Sequence, residues 1–303
     1  MSTATTETST PAAPAGPAAV RERASGRTAI LRRDRLALLG LLIICALLLI
    51  AVFGHWLAPF PEQGAGSANV PESNLPPSAE HLFGTDMLGR DILSRVIMGV
   101  RPALVVSLAV VAIAALIGVP LGAIAGYRGG WLDEALMRVT EVFQSFPPLL
   151  LAMVMVTLLG PGLLNAGIAL ALSWWPWYAR LLRAEARSLR ERPYVTAAEA
   201  IGVRPGRILV RHIVRNSMTP ILVQATIDIG TVVLAAGSLA FIGLGAQPPY
   251  PDWGLMVAEG RGQIMTSWWI STFPGLAIFV TVLAFNLLGD SLRDWFDPRQ
   301  VKR

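Results

Sequence analysis

The sequence predicts an all-α integral membrane protein with six transmembrane helices and both termini in the cytoplasm. Three observations lead there. First, 53% of the 303 residues are hydrophobic and only 15% charged, where a soluble domain carries roughly a quarter charged residues. Second, six apolar runs follow one another, at 36–58, 103–125, 142–159, 163–182, 217–244 and 270–288. Most reach the roughly 20 residues that cross about 30 Å of hydrocarbon at 1.5 Å per residue. Third, the basic residues are lopsided. Of 25, all but Arg90, Arg95, Arg101 and Arg261 lie before run one, between runs two and three, between runs four and five, or after run six. Arginine-rich loops stay inside, so both ends of the chain face the cytoplasm.

Residues 1–28 open the chain as a polar tail of Ser, Thr, Ala, Pro and Gly. Such a composition cannot bury enough surface to offset ordering entropy, so the tail is expected to be disordered and cytoplasmic. It is not read as a secretory signal, because its arginines follow the polar tract and no cleavage site follows run one. Residues 29–298 form one membrane domain, and 299–303 a short tail. Run one contains Cys45, the only cysteine, so no intrachain disulfide forms.

The segment between runs one and two is external and holds "FGTDMLGRDILSR", from Phe83 to Arg95. Asp86 or Asp91 suits the cap of a short helix. Ile92, Val96 and Val100 would lie on one face of that helix, resting at the membrane surface. Glu80, Asp86 and Asp91 do not have the spacing of a calcium loop, so no metal site is expected. In run two, Gly118, Gly122 and Gly126 recur every fourth residue. They either line a face that a neighbouring backbone approaches closely or loosen the helix around Pro120. Gly160-Pro161-Gly162 makes a tight outer turn between runs three and four.

The loop 183–216 holds "YVTAAEAIGVRPGR", from Tyr194 to Arg207. Thr196-Ala197-Ala198-Glu199 has the form of a capping box, although Pro193 could instead be the first helical residue. Gly202 suits the left-handed residue that ends the helix. A second basic helix would follow at about 206–215. Ala197, Ala198 and Ala200 give the first helix a smooth side able to lie in another protein's groove. The bland alternative is a loop helix lying on its own membrane domain.

This stretch resembles the "EAA" loop of ATP-binding-cassette transporter permeases, with Thr196 in place of the family glutamate and Arg215 in place of a proline. Over about residues 80–298, "FGTDMLGRDILSR", "GVPLGAIAGYRGGWLD", "FPPLLLA", "FIGLGAQPPYPDWG" and "FPGLAIFVTVLAFNLLGDSLRDWFDPR" resemble the C-type permease of dipeptide, oligopeptide and nickel importers. The resemblance implies the ABC importer permease fold and a pore built with a second homologous permease. It implies two ATPase subunits, which bind ATP and Mg and dock at Tyr194, Thr196, Ala197, Ala198, Glu199 and Gly202. It implies an external substrate-binding protein and the cytoplasmic (inner) membrane of a prokaryote. Peptides lead as cargo, with nickel or another small solute as the alternative.

The residues agree on the division of labour. A phosphate-binding P-loop needs a lysine after its glycines. Lys302 is the only lysine and no such loop precedes it. The chain is therefore expected to bind no cofactor and to be no enzyme. The arginines sit beside apolar runs, a membrane pattern and not a nucleic-acid footprint. The competing reading is an ion-coupled secondary transporter, which needs ionisable groups inside the membrane. Two candidates exist: Glu141, which starts run three and is expected to be interfacial, and Asp228, near the middle of run five. Asp228 either faces the translocation path or makes a buried structural hydrogen bond. A membrane enzyme has no support, since His55, His81 and His212 show no partner cluster in the sequence.

Overall fold

Arg35 begins the described chain: the computed structural model describes residues 35–296. The expected tails at 1–28 and 299–303 lie outside that range. The unbroken apolar run one forms α1, Arg35–Leu57, followed by the short α2, Pro61–Ala65. Run two belongs to α3, Ile92–Arg128. After a two-glycine turn come α4, Gly130–Gln144, and α5, Pro148–Leu159. Then follow α6, Leu163–Arg190, α7, Pro193–Ala200, and α8, Pro205–Ile208, which runs into a π-helical turn at Leu209–Val214. The last three are α9, Met218–Phe241, α10, Trp253–Gly260, and α11, Trp269–Phe296. Among the described residues there is no β-strand, only one isolated bridge between Thr85 and Asp91.

Four helices, α1, α3, α9 and α11, are long and apolar enough to cross a membrane. The pair α4–α5 adds a fifth crossing if taken as one span. Run three was expected as one helix, but the chain bends there by 82°. The cause is local. Pro147 and Pro148 follow Ser145 and Phe146; a proline pushes the residue before it out of the helical region, and Pro147 is held extended at ψ 129°. Run four lies in α6, which continues to Arg190. Its apolar part stops at Arg180, so composition alone does not mark it as a span.

The surface helix expected from Ile92 does not exist as a separate element. Ile92 and Val100 are buried in the first turns of α3, which runs on through Pro102 and Pro120. Each interior proline removes one backbone hydrogen bond, but packing on both sides holds the helix together. At 37 residues α3 is about 55 Å long.

The glycine repeat explains how α3 packs. A Cβ at Gly118 would run into the carbonyl oxygen of Trp175, one at Gly122 into that of Ala179, and one at Gly126 into that of Arg183. The three glycines form a groove that seats the backbone of α6. Above and below lie Val110, Val111 and Ala114 of α3 with Ala171, Tyr178 and Leu182 of α6, all buried. A flexible-helix role for the glycines makes a different prediction from this seat. Gly122→Val should cost at least about 3 kcal/mol, because the clash is with backbone that cannot rotate away. Thermal melting of the purified chain in detergent measures this. A melt equal to wild type would leave only the role in bending the helix.

Candidate functional site

The loop between α6 and α9 folds back as a unit on the arginine-rich end of the bundle. Pro193 is the first helical residue of α7, and Arg192 precedes it in an extended conformation. The helix therefore starts a turn earlier than a Thr196 cap requires. Thr196 lies inside the helix and the capping box is not formed. Glu199, freed from that role, accepts a hydrogen bond from the Tyr127 hydroxyl at 2.9 Å. Gly202 ends the helix with φ +78°, and the Val203 N–H reaches the Ala198 carbonyl at 3.0 Å. That is the left-handed C-terminal cap which glycine adopts without penalty.

The alanines divide. Val195 and Ala198, three residues apart, face inward. They pack with Ile208 and Ile213 against Tyr127 at the end of α3 and Ala186 of α6. Ala198 is 7% exposed, so it is not part of a smooth outer side. Tyr194, Ala197 and Ile201, spaced i, i+3 and i+7, are exposed alongside that buried pair. Ile201 is 81% exposed and Tyr194 42%. Arg192, Arg204, Arg207, Arg211 and Arg215 of the same loop are also exposed. The Tyr194 hydroxyl also accepts from Asn216 Nδ2 at 3.1 Å, tying the start of α7 to the approach to α9. Ile201 was not singled out in the sequence.

A second contact stiffens the same end. Asp133 in the first turn of α4 is 2% exposed. Its carboxylate accepts from Arg183 Nη2 at 2.8 Å and also from Arg187, both on α6. The ends of α3, α4 and α6 and the helix α7 thus form one block. Sequence reading passed over Asp133 because its partners lie 50 and 54 residues away.

Asp228 lies on α9 and is 6% exposed. Its Oδ1 accepts from Gln224 Nε2 at 3.0 Å. Oδ2 and the buried Tyr178 hydroxyl each lack a partner at hydrogen-bond geometry, although the two groups are close enough to interact.

The opposite end of the bundle is pinned by ions. Asp91 caps α3, accepting from the Ser94 N–H at 2.7 Å. His81, without partners in the sequence reading, sits between Asp91 Oδ1 at 2.9 Å and Glu72 Oε2 at 3.3 Å. Arg90 donates to Asp86 Oδ2 at 2.6 Å and to Glu259 Oε2 at 3.1 Å. Arg95, fully buried, lies 3.7 Å from Asp86 and 3.6 Å from Glu259. Among the described residues no cluster of His, Cys, Asp and Glu is arranged to hold a metal ion.

A bundle of long apolar helices with a folded-back basic helical unit at one end is the architecture of a transport permease. The chain belongs to the family of binding-protein-dependent transport system inner membrane components, whose pattern matches residues 118–302. Residues 28–77 match the N-terminal transmembrane domain of oligopeptide transport permease C. It is 44% identical to the dipeptide transport system permease protein of Alkalihalophilus pseudofirmus, over 89% of this chain and 88% of that one. It is 43% identical to a probable D,D-dipeptide transport system permease of Escherichia coli, over 89% and 90%. A glutathione transport system permease of Escherichia coli is 42% identical over 88% of each. The fold is similar to a chain of the MetNI methionine ABC transporter in an inward-facing conformation, with TM-score 0.54 and 19% identity over 68% of this chain and 98% of that one.

Proposed function

We propose that the chain is the pore-forming permease subunit of an ATP-binding-cassette importer that carries di- and oligopeptides. Its relatives are named for dipeptides, D,D-dipeptides and glutathione, which share a short peptide backbone with a free carboxylate. The observation that carries the coupling half of the reading is the outward face of α7. Ile201 and Tyr194 leave apolar surface in water on a helix that is also anchored to the bundle, in a loop that carries five exposed arginines. An apolar centre with a charged rim suits a protein partner.

In this reading the arginine-rich end is cytoplasmic and the ion-pinned end is external, in the inner membrane of a prokaryote. Both termini are cytoplasmic. Counting α6 and the bent pair α4–α5 as one crossing each brings the total to six. A second homologous permease completes the pore, two ATPase subunits dock on α7 and its counterpart, and an external binding protein delivers the peptide. ATP and Mg belong to the ATPases, since this chain has no P-loop lysine. Transport then follows from ATP binding that favours one arrangement of the docked pair over the other.

One experiment with two arms tests this. In cells carrying the full importer and lacking Cys45, a cysteine at Ser78 should react with an impermeant thiol reagent and one at Ser188 should not; both sites are exposed. In proteoliposomes, labelled dipeptide should accumulate with ATP and persist when a protonophore removes the proton gradient. Reversed labelling overturns the orientation. Uptake that collapses with the gradient while ATP is held constant overturns the energy source.

A further inference from the structure

The helix α7 is held to the bundle by a buried apolar face and two directed side-chain bonds. One bond, Asn216 to Tyr194, joins its first turn to the approach to α9. The other, Tyr127 to Glu199, joins its last turn to α3. The two tethers lead to different parts of the bundle. Tyr127 is the penultimate residue of α3, and its ring is 9% exposed among Ala186, Val195, Ala198 and Ile208. From there α3 runs without a break to Ile92, about 50 Å away at 1.5 Å per residue. Along the way the Gly118, Gly122 and Gly126 groove clamps α3 to α6, so the two helices are built to move together. At the far end Arg95 enters the buried ion network that includes Glu259 of α10, while Asp91 caps the helix and pairs with His81.

We propose that Tyr127 is a positioning residue for transport: its bond to Glu199 fixes the angle between α7 and α3, so that a shift of α7 is delivered to α3. The proposal rests on the reading of α7 as the ATPase-docking element. The apolar contacts alone do not do this. Val195 and Ala198 are small, and a small apolar face permits sliding and rotation that a directed hydrogen bond resists. Glu199 presents its carboxylate to Tyr127 beside the buried Val195, on the side of the helix away from Tyr194, Ala197 and Ile201. The bond can therefore be removed without altering Tyr194, Ala197 or Ile201. In this account Tyr127 governs how much of the ATPase motion reaches the pore, and not whether the ATPase binds.

Tyr127→Phe tests this in the complete importer reconstituted in liposomes. It deletes one hydroxyl and keeps the ring that packs on Ala186 and Val195. The ATPase subunits should copurify at wild-type stoichiometry and hydrolyse ATP within about twofold of wild type. Dipeptide taken up per ATP hydrolysed should fall at least fivefold. Glu199→Leu removes the acceptor from the other side and should lower the same ratio. The double variant should be no worse than the worse single variant, because both remove one bond. A wild-type uptake-to-hydrolysis ratio in Tyr127→Phe overturns the proposal. So does a loss of uptake that merely follows loss of bound ATPase, or additive losses in the double variant. Ile201→Asp, which charges the outer face, is run alongside. If that variant keeps its ATPases, the docking reading itself fails, and this outcome is separate from any result at Tyr127.

Discussion

Asp86→Ala is expected to destabilise the chain by about 3–5 kcal/mol, the cost of removing one partner from a buried ion network. The carboxylate is 3% exposed. It accepts from Arg90 Nε and from the backbone N–H groups of Leu88 and Arg90, the last two at 2.9 Å. It also stands 3.7 Å from Arg95 Nη1. Two guanidinium groups with almost no exposure face two carboxylates, Asp86 and Glu259, so the network is neutral. It is only just sufficient: all three guanidinium nitrogens of Arg95 and Nη1 of Arg90 have no hydrogen-bond partner. Without Asp86, two buried positive charges share Glu259 alone. Charge and hydrogen bonding can be separated with Asp86→Asn, which keeps an acceptor for the backbone N–H groups. If charge dominates, Asn should melt nearly as low as Ala, roughly 10 °C below wild type. If the turn's hydrogen bonds dominate, Asn should recover most of the loss. An Ala variant that melts with wild type would mean that water reaches both arginines and that the network does not hold the loop.

That network shows where the sequence stops being readable. A helix cap at Asp86 or Asp91 was legible, because a cap and its helix are neighbours in the chain, and the structure gives it to Asp91. Glu259 was not, since it meets Arg90 across 169 residues. The same division runs through the site. Gly202 announces the end of α7 by its own conformational freedom, and the every-fourth-residue glycines announce a close helix contact. The pairs Tyr127–Glu199 and Asp133–Arg183 join segments 72 and 50 residues apart, and no local pattern selects them. The apolar runs located the helices but not their ends. Hydropathy falls at Arg180 while α6 continues to Arg190, because Leu182 and Ala186 still pack inward. It also smooths over the break before Pro148, where every residue is apolar or small. The alanines of α7 misled for a related reason. A row of alanines has no side to prefer. The larger Val195, three residues before Ala198, sets which way the helix turns.

The largest functional loss is expected at Ile201. Ile201→Asp should abolish copurification of the ATPase subunits and reduce dipeptide uptake more than tenfold. The argument begins with exposure. Ile201 is 81% exposed, so a carboxylate there stays in water and the chain should insert, fold and melt as wild type. Left in water, the isoleucine forgoes roughly 1.5–3 kcal/mol of burial that a partner's groove can supply. A carboxylate in that groove is buried without a partner, a cost of several kcal/mol more. Ala197→Trp, one turn earlier on the same face, should block docking by bulk alone. Ala198→Trp is the informative contrast. It points inward at Tyr127 and Ala186, so it should lower the melting temperature as well as docking. Three variants within five residues thus separate an outer face from an inner one. Equal behaviour of Ala197→Trp and Ala198→Trp, or ATPases retained at full stoichiometry by Ile201→Asp, would show that α7 meets its partner by some other surface.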